Sequence, residues 1–142
     1  MSSIDNISVP KRIVKNIPRT KDPVSIIIKG HILIEESLER IISSRAQDPE
    51  SLKESFIPFK QKYIIAKALA GRPRNDEWEF VNEINRIRNK FAHNIDGFDV
   101  NQEIDKLLQI YHLKEDGISN KLKILKQLIG LVCALLEGFV IH

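Results

Sequence analysis

The chain has 142 residues, 42% of them hydrophobic and 29% charged, with a formal net charge of +3. That length fits one domain, and the apolar fraction excludes a wholly disordered chain. A single cysteine excludes an internal disulfide and a Cys-rich metal site, 6 Gly and 6 Pro are too few for the turns of a β-sandwich, and 6% aromatic residues are few for stacking bases.

Residues 1–23 differ from the rest. Pro10, Pro18 and Pro23 disfavour helix before them, while Lys11, Arg12, Lys15, Arg19 and Lys21 face only Asp5 and Asp22. The segment reads as an extended basic arm. It is either a solvated tail packed by Ile13, Val14 and Ile17, or a contact for an acidic partner through Lys11, Arg12, Lys15 and Arg19. The arm holds the whole excess charge, since residues 24–142 carry 17 basic and 17 acidic side chains. A neutral body weakens the nucleic-acid partner that a pI near 9.0 suggests. The start MSSIDNISVP contains no apolar run of signal-peptide length, and Asn6-Ile7-Ser8 is a formal glycosylation acceptor with nothing else pointing to secretion. The longest uncharged apolar run, Leu128 to Leu136, is nine residues. That is far short of the ~20 a membrane span needs, so a soluble cytoplasmic protein without membrane contact is expected.

Residues 24–142 read as one helical domain. From Val24 to about Arg45, Ile27, His31, Ile34, Leu38 and Ile41 form one stripe at spacings of four and three. Gly30 interrupts it at some cost to the helix. Asp48-Pro49 closes the segment, and a short helix is expected over 50–56. Pro58 suits the first turn of the next helix. Phe59, Tyr63, Ala66 and Ala70 share its face, and Ile64 and Ile65 widen it. Gly71 and Pro73 stop it.

Asn75 or Asp76 then caps a helix over about 76–93, with Glu77 and Glu79 at the positive end of its dipole. Its apolar stripe is Phe80, Ile84, Ile87 and Phe91, with Trp78, Val81, Asn85, Arg88 and Ala92 beside it. Asp99 and Gln102 resemble a capping box for a helix to about Leu113, with Ile104, Leu107, Leu108 and Tyr111 inward and His112 serving the end of the dipole. Asp116-Gly117 marks a turn before a last helix over about 119–140. Its stripe is Leu122, Leu125, Ile129, Val132 and Leu136. Beyond Leu128 it is apolar on nearly every side, so either it is central in the fold or a partner subunit buries it. The expected fold is an all-α bundle of about five main helices. A mixed α/β fold rests only on the Ile26–Ile28 run.

Little in the sequence carries chemistry. There is no phosphate-cradling glycine loop. The four histidines, at 31, 93, 112 and 142, have no spacing suited to zinc, and Cys133 lies in an apolar helix without a base beside it. No metal or cofactor is expected. The remaining constellation is Ile87-Arg88-Asn89-Lys90-Phe91-Ala92-His93. An Arg can neutralise charge on a phosphodiester, a His can move a proton near neutral pH, and RNA supplies its own 2′-OH. Residues five apart point about 140° from each other on a helix, so Arg88 and His93 converge only if the helix ends or distorts at His93. Asn89 shares a face with His93, and Arg86 joins it seven residues before His93. The plainer reading is that these groups finish the helix inside the bundle, with His31 or Glu35 as partners.

Arg88-Asn89-Lys90-Phe91-Ala92-His93 resembles the Arg-Asn-x-x-x-His motif of the HEPN superfamily. Gly30-His31-Ile32-Leu33-Ile34-Glu35, Phe59-Lys60-Gln61-Lys62 and Ala68-Leu69 resemble blocks of its mannitol-repressor-like branch. The resemblance spans roughly residues 26–95. It implies an all-α bundle and frequent homodimers, with the motif near the dimer cleft. Many members are metal-independent ribonucleases of toxin or defence systems, in which the active residues correspond to Arg88, Asn89 and His93. Mannitol-repressor-like members are regulators acting through partners. Ile95 stands where many toxin members carry Tyr. The expected function is therefore a non-enzymatic regulatory module binding a protein partner, for transcriptional regulation or toxin neutralisation as an immunity protein or antitoxin. The contact would be the motif face or the apolar last helix, either of which could also form a homodimer. The alternative is a ribonuclease using Arg88 and His93, with His31, Glu35 and Arg86 in support.

Overall fold

The computed structural model describes residues 11–17, 19–71, 75–93 and 97–142, without the side chains of Arg12 and Val14. Pro10, Asn6-Ile7-Ser8, Arg12, Val14, Pro18, Pro73 and Ile95, all invoked above, lie outside that description in whole or in side chain. The described residues form α1 (Lys11–Asn16), α2 (Pro23–Arg45), a 3-10 helix (Pro49–Glu54), α3 (Phe59–Ala70), α4 (Asp76–Ala92), α5 (Val100–Ile110) and α6 (Ile118–Glu137), and contain no strand. The all-α architecture with five main helices is as expected.

Several boundaries differ, each for a local reason. The arm is not extended throughout. Lys11–Asn16 is helical, because Ile13 and Ile17, four apart, give it an apolar edge that packs on α6, and Ile13 is fully buried. Lys11, Lys15 and Arg19 remain exposed. Pro23 serves as the first residue of α2. Residues 49–54 wind as a 3-10 rather than an α-helix, with no buried side chain to hold a wider turn. Pro58 caps α3 from outside in extended backbone, and Gly71 closes it in the left-handed conformation at φ 57°. Ile64 and Ile65 do not join the core; they are 54% and 38% exposed.

α5 ends three residues early in a Schellman turn. His112 N–H donates to Gln109 O (2.9 Å), Leu113 N–H donates to Leu108 O (3.0 Å), and His112 takes φ 58°. His112 thus occupies the position that glycine usually fills. His112→Gly should raise stability by about 0.5–1 kcal/mol, read as a higher urea midpoint at unchanged slope. α6 stops at Glu137, so that Phe139 can stack on Trp78 with ring centroids 5.8 Å apart.

Cross-contacts fix the helix directions. His31 stacks on Phe59, Lys62 bonds Glu35 and Glu39, and Arg45 donates to Leu69 O, so α3 runs parallel to α2. The 46–58 connection must therefore travel back along α2 by about 20 Å. α6 is parallel to α2 as well. Gly30 lies against Ile129, Ser37 and Arg40 donate to Glu137 Oε1, and Arg45 donates to Phe139 O. α4 runs the other way, meeting His31 at Asn85 and Phe139 at Trp78. α6 packs against α1, α2, α4 and α5. Its Leu128–Cys133 stretch is buried entirely within the chain. The apolar last helix is therefore the central element of the bundle. No described helix is long and apolar enough to cross a membrane.

Candidate site on the α2–α4 face

The centre of the motif region is a buried polar contact. His31 Nε2 donates to Asn85 Oδ1 at 2.9 Å, and the imidazole stacks on Phe59 at 4.1 Å. Both polar side chains are over nine-tenths buried, so each satisfies a group the other leaves exposed to an apolar surround. Burial lowers the His31 pKa below its ordinary 6.5. The Asn85 hydrogen bond and the Glu35 charge work against that, and the Arg88 charge reinforces it. His31 is therefore a neutral structural tie between α2 and α4 near neutral pH.

Asn85, Arg88, Asn89 and Ala92 stand at i, i+3, i+4 and i+7 and share one face of α4. Asn85 is the buried end of that face. Arg88 is half-buried beside His31, and Asn89 and Ala92 are exposed. His93 terminates the helix at φ −93°, ψ 1°, with its amide donating to Asn89 O (3.1 Å) and its side chain in solvent. The helix thus ends where convergence of Arg88 and His93 requires it to. Among the described residues, however, the side chains of Arg88, Asn89 and His93 make no hydrogen bond or ion pair with each other or with a neighbour. Nothing described orients the His93 ring.

On α2, Val24, Ile28 and Ile32 repeat every four residues and are 36%, 38% and 46% exposed. Ile28 and Ile32 flank His31 on its own helix, so an aliphatic strip borders the motif residues. Glu35, one turn beyond His31, is engaged by Lys62 at 3.0 Å, and Lys62 also bonds Glu39 at 2.6 Å.

Arg86 does not join this face. It binds Glu83 and Glu103, where Lys90 (3.0 Å) and Lys106 (3.4 Å) also meet Glu103. One residue on from Asn85, a helix turns by about 100°, and that carries Arg86 to α5. The bond to Glu83 and that to Glu103 hold Arg86 more firmly protonated than usual, against its partial burial. Burial works to raise the Glu103 carboxyl, but the Lys90 and Arg86 hydrogen bonds outweigh it, so it lies below its ordinary 4.5. This cluster ties α4 to α5 and is structural.

The sequence reading offers His31 or Glu35 as partners of the motif groups; in the structure His31 bonds Asn85 and Glu35 bonds Lys62, and neither Asn85 nor Phe59 is singled out by that reading. The available signal is Asn85 at three residues before Arg88, on its helical face. No group of three metal-ligating side chains occurs among the described residues. A groove of about 280 Å³ between α2, the 3-10 helix and α3, lined by Ile42, Leu52, Phe56 and Ile57 among others, contains none of the motif residues. Comparison with protein-family models, curated proteins and solved structures finds no match.

Proposed function

We propose that this chain is a non-enzymatic interaction module of the HEPN-like, mannitol-repressor-like kind, which binds a protein partner through its α2–α4 face. The observation that carries this reading is the exposed strip Val24, Ile28 and Ile32 alongside Arg88, Asn89 and Ala92. An aliphatic strip next to a guanidinium that has no ion pair among the described residues has the make-up of a protein interface, in which Arg and apolar anchors supply most of the affinity. The same feature suits neutralisation of a toxin or control of a transcription factor. Acid–base catalysis gains less support, because a general base needs an orienting partner and His93 has none among the described residues.

One observation favours the ribonuclease alternative. Arg88, Asn89 and His93 lie close in sequence at a helix end, and among the described residues no carboxylate occupies them, as a phosphate contact would require. Expressing wild type, His93→Ala and Ile32→Asp, and measuring growth, RNA integrity and proteins captured on the tagged chain, separates the readings. The interaction module predicts intact RNA throughout and a captured protein that Ile32→Asp loses and His93→Ala keeps. RNA cleavage by wild type that His93→Ala abolishes would establish the nuclease instead.

A further inference from the structure

The exposed side of α3 is the second unpartnered apolar surface, and its chemistry differs from that of the α2–α4 face. Ile64, Ile65 and Leu69 are 54%, 38% and 41% exposed, and Ala68 between them is exposed too. With Gln61 they stand at i, i+3, i+4, i+7 and i+8, a seam two turns long. Lys60 and Lys67 border the seam on its α4 side. Both stand over the Tyr63 ring, at 5.0 and 5.7 Å from its centre, and Lys60 otherwise bonds only the neutral Asn82 Oδ1 at 2.6 Å. Neither forms an ion pair among the described residues. The surrounding sequence has one sign. Between Glu54 and Asp76 there are five basic side chains, Lys60, Lys62, Lys67, Arg72 and Arg74, and no carboxylate. Lys62 is already paired with Glu35 and Glu39, so among the described residues the cationic border of the seam is Lys60 and Lys67.

We propose that the outer face of α3 docks an acidic amphipathic helix of another protein, its apolar residues seated on Ile64, Ile65, Ala68 and Leu69 and its carboxylates on Lys60 and Lys67. The spacing of the seam is that of one helix packing on another. The uncompensated lysines select a carboxylate-bearing partner over a neutral one. A second copy of this chain is disfavoured, because a two-fold pairing through this face sets one cationic segment against another. An anionic membrane fits less well. The seam is short and carries no Trp or Phe, the residues with which interfacial helices insert.

The test is a titration of the ¹⁵N-labelled full chain. The probe is a helical peptide of about 14 residues, four turns, with Leu on one face and Glu on both flanks. The comparators are the same peptide with every Glu replaced by Lys, and vesicles of phosphatidylglycerol and phosphatidylcholine. The acidic peptide should shift the amides of Ile64, Ile65, Ala68 and Leu69 saturably. Lys60→Glu with Lys67→Glu should weaken binding at least tenfold, and Ile64→Asp should abolish it. Lys60 and Ile64 are exposed and Lys67 is half-buried, and an unchanged far-UV spectrum checks the fold. Four results would overturn the proposal: no shift with the acidic peptide, equal binding of the Lys peptide, binding of vesicles alone, or a wild-type dimer in sedimentation that Ile64→Asp dissolves. Shifts on α2 and α4 instead would move the contact to the other face without touching the reading of that face.

Discussion

Replacing Gly30 by valine should cost about 3 kcal/mol of unfolding free energy and lower the melting temperature by about 10 °C. A Cβ at Gly30 would meet Ile129 Cδ1 at 2.6 Å and Cγ1 at 3.1 Å. The first atom ends a flexible side chain and can swing away, but the second is fixed closer to the α6 backbone. Valine adds two more methyl groups at a point where α2 lies against the fully buried Ile129 of α6. Alanine separates the two effects at this site. Its helix propensity gains about 1 kcal/mol over glycine, and that gain offsets the milder clash. Gly30→Ala should therefore change stability by less than about 1 kcal/mol. The partner can be proven by a double-mutant cycle. Ile129→Ala alone should cost about 3 kcal/mol, yet in the Gly30→Val background it opens the needed space. The double variant should be more stable than the sum of the two losses by over ~1 kcal/mol. Strict additivity in urea melts would mean that Gly30 and Ile129 do not touch.

Gly30 also shows what kind of information the sequence lacks. Read along its own helix, it is only a weak helix former in a stripe. Its purpose is set by a residue on α6, far along the chain, and no local pattern reports that approach. Where the signal is local, the sequence is informative. The four-and-three spacing of Ile27, His31, Ile34, Leu38 and Ile41 predicts a buried face, and all five are buried. Leu122, Leu125, Ile129, Val132 and Leu136 behave the same way. The errors fall where a side chain could serve two surfaces. Ile64 and Ile65 have the hydropathy of core residues, but among the described residues α3 packs mainly on α2 and α4, and these two side chains stay in solvent. The last helix is the converse. Its apolar circumference is equally consistent with a central helix and an oligomer seam, and only the set of neighbouring helices shows that Leu128–Cys133 is buried within the chain.

The motif region divides along the same line. That Arg88 and His93 need a helix end in order to approach each other follows from helical geometry, and the end is found at Ala92. That His31 reaches α4 is open to sequence reasoning as one of two candidates, because a buried imidazole needs a partner. Its choice of Asn85 is not, because that depends on α2 and α4 crossing at those two residues. Arg86 stands one helical position beyond Asn85 and is held by Glu83 and Glu103 on the α5 side. Near a helix end, faces one residue apart are hard to separate until a neighbour such as Glu103 fixes which way a side chain turns.

Exchanging Asn85 for aspartate should reverse the pH dependence of stability. In the wild type, burial keeps the folded His31 pKa below the ordinary 6.5. Between those two values the unfolded chain binds the extra proton, so stability rises with pH and is lost as pH falls below about 6.5. Glu103, also depressed in the folded state, loses its contribution in a separate, lower window, beginning near its ordinary 4.5. In Asn85→Asp, a carboxylate stands where the amide oxygen now accepts from Nε2 at 2.9 Å. An opposite charge at that range favours the imidazolium, and the folded His31 pKa rises above its unfolded value. The histidine's contribution is then present below about 6.5 and lost as pH rises through the folded value, which leaves the introduced carboxylate as an unpaired buried charge. Urea midpoints at about pH 5.5 and pH 8 should therefore rank in opposite orders for the two proteins, with the variant about 3 kcal/mol less stable than wild type at the higher pH. Parallel midpoints would mean that His31 does not face position 85. The same pair of measurements bears on binding. Arg88 sits one turn from Asn85 and already feels the charge state of His31. A proton on His31 therefore weakens both the α2–α4 tie and the placement of Arg88 beside it, so a partner held through Arg88 should bind less tightly below the pH at which the wild type begins to lose stability.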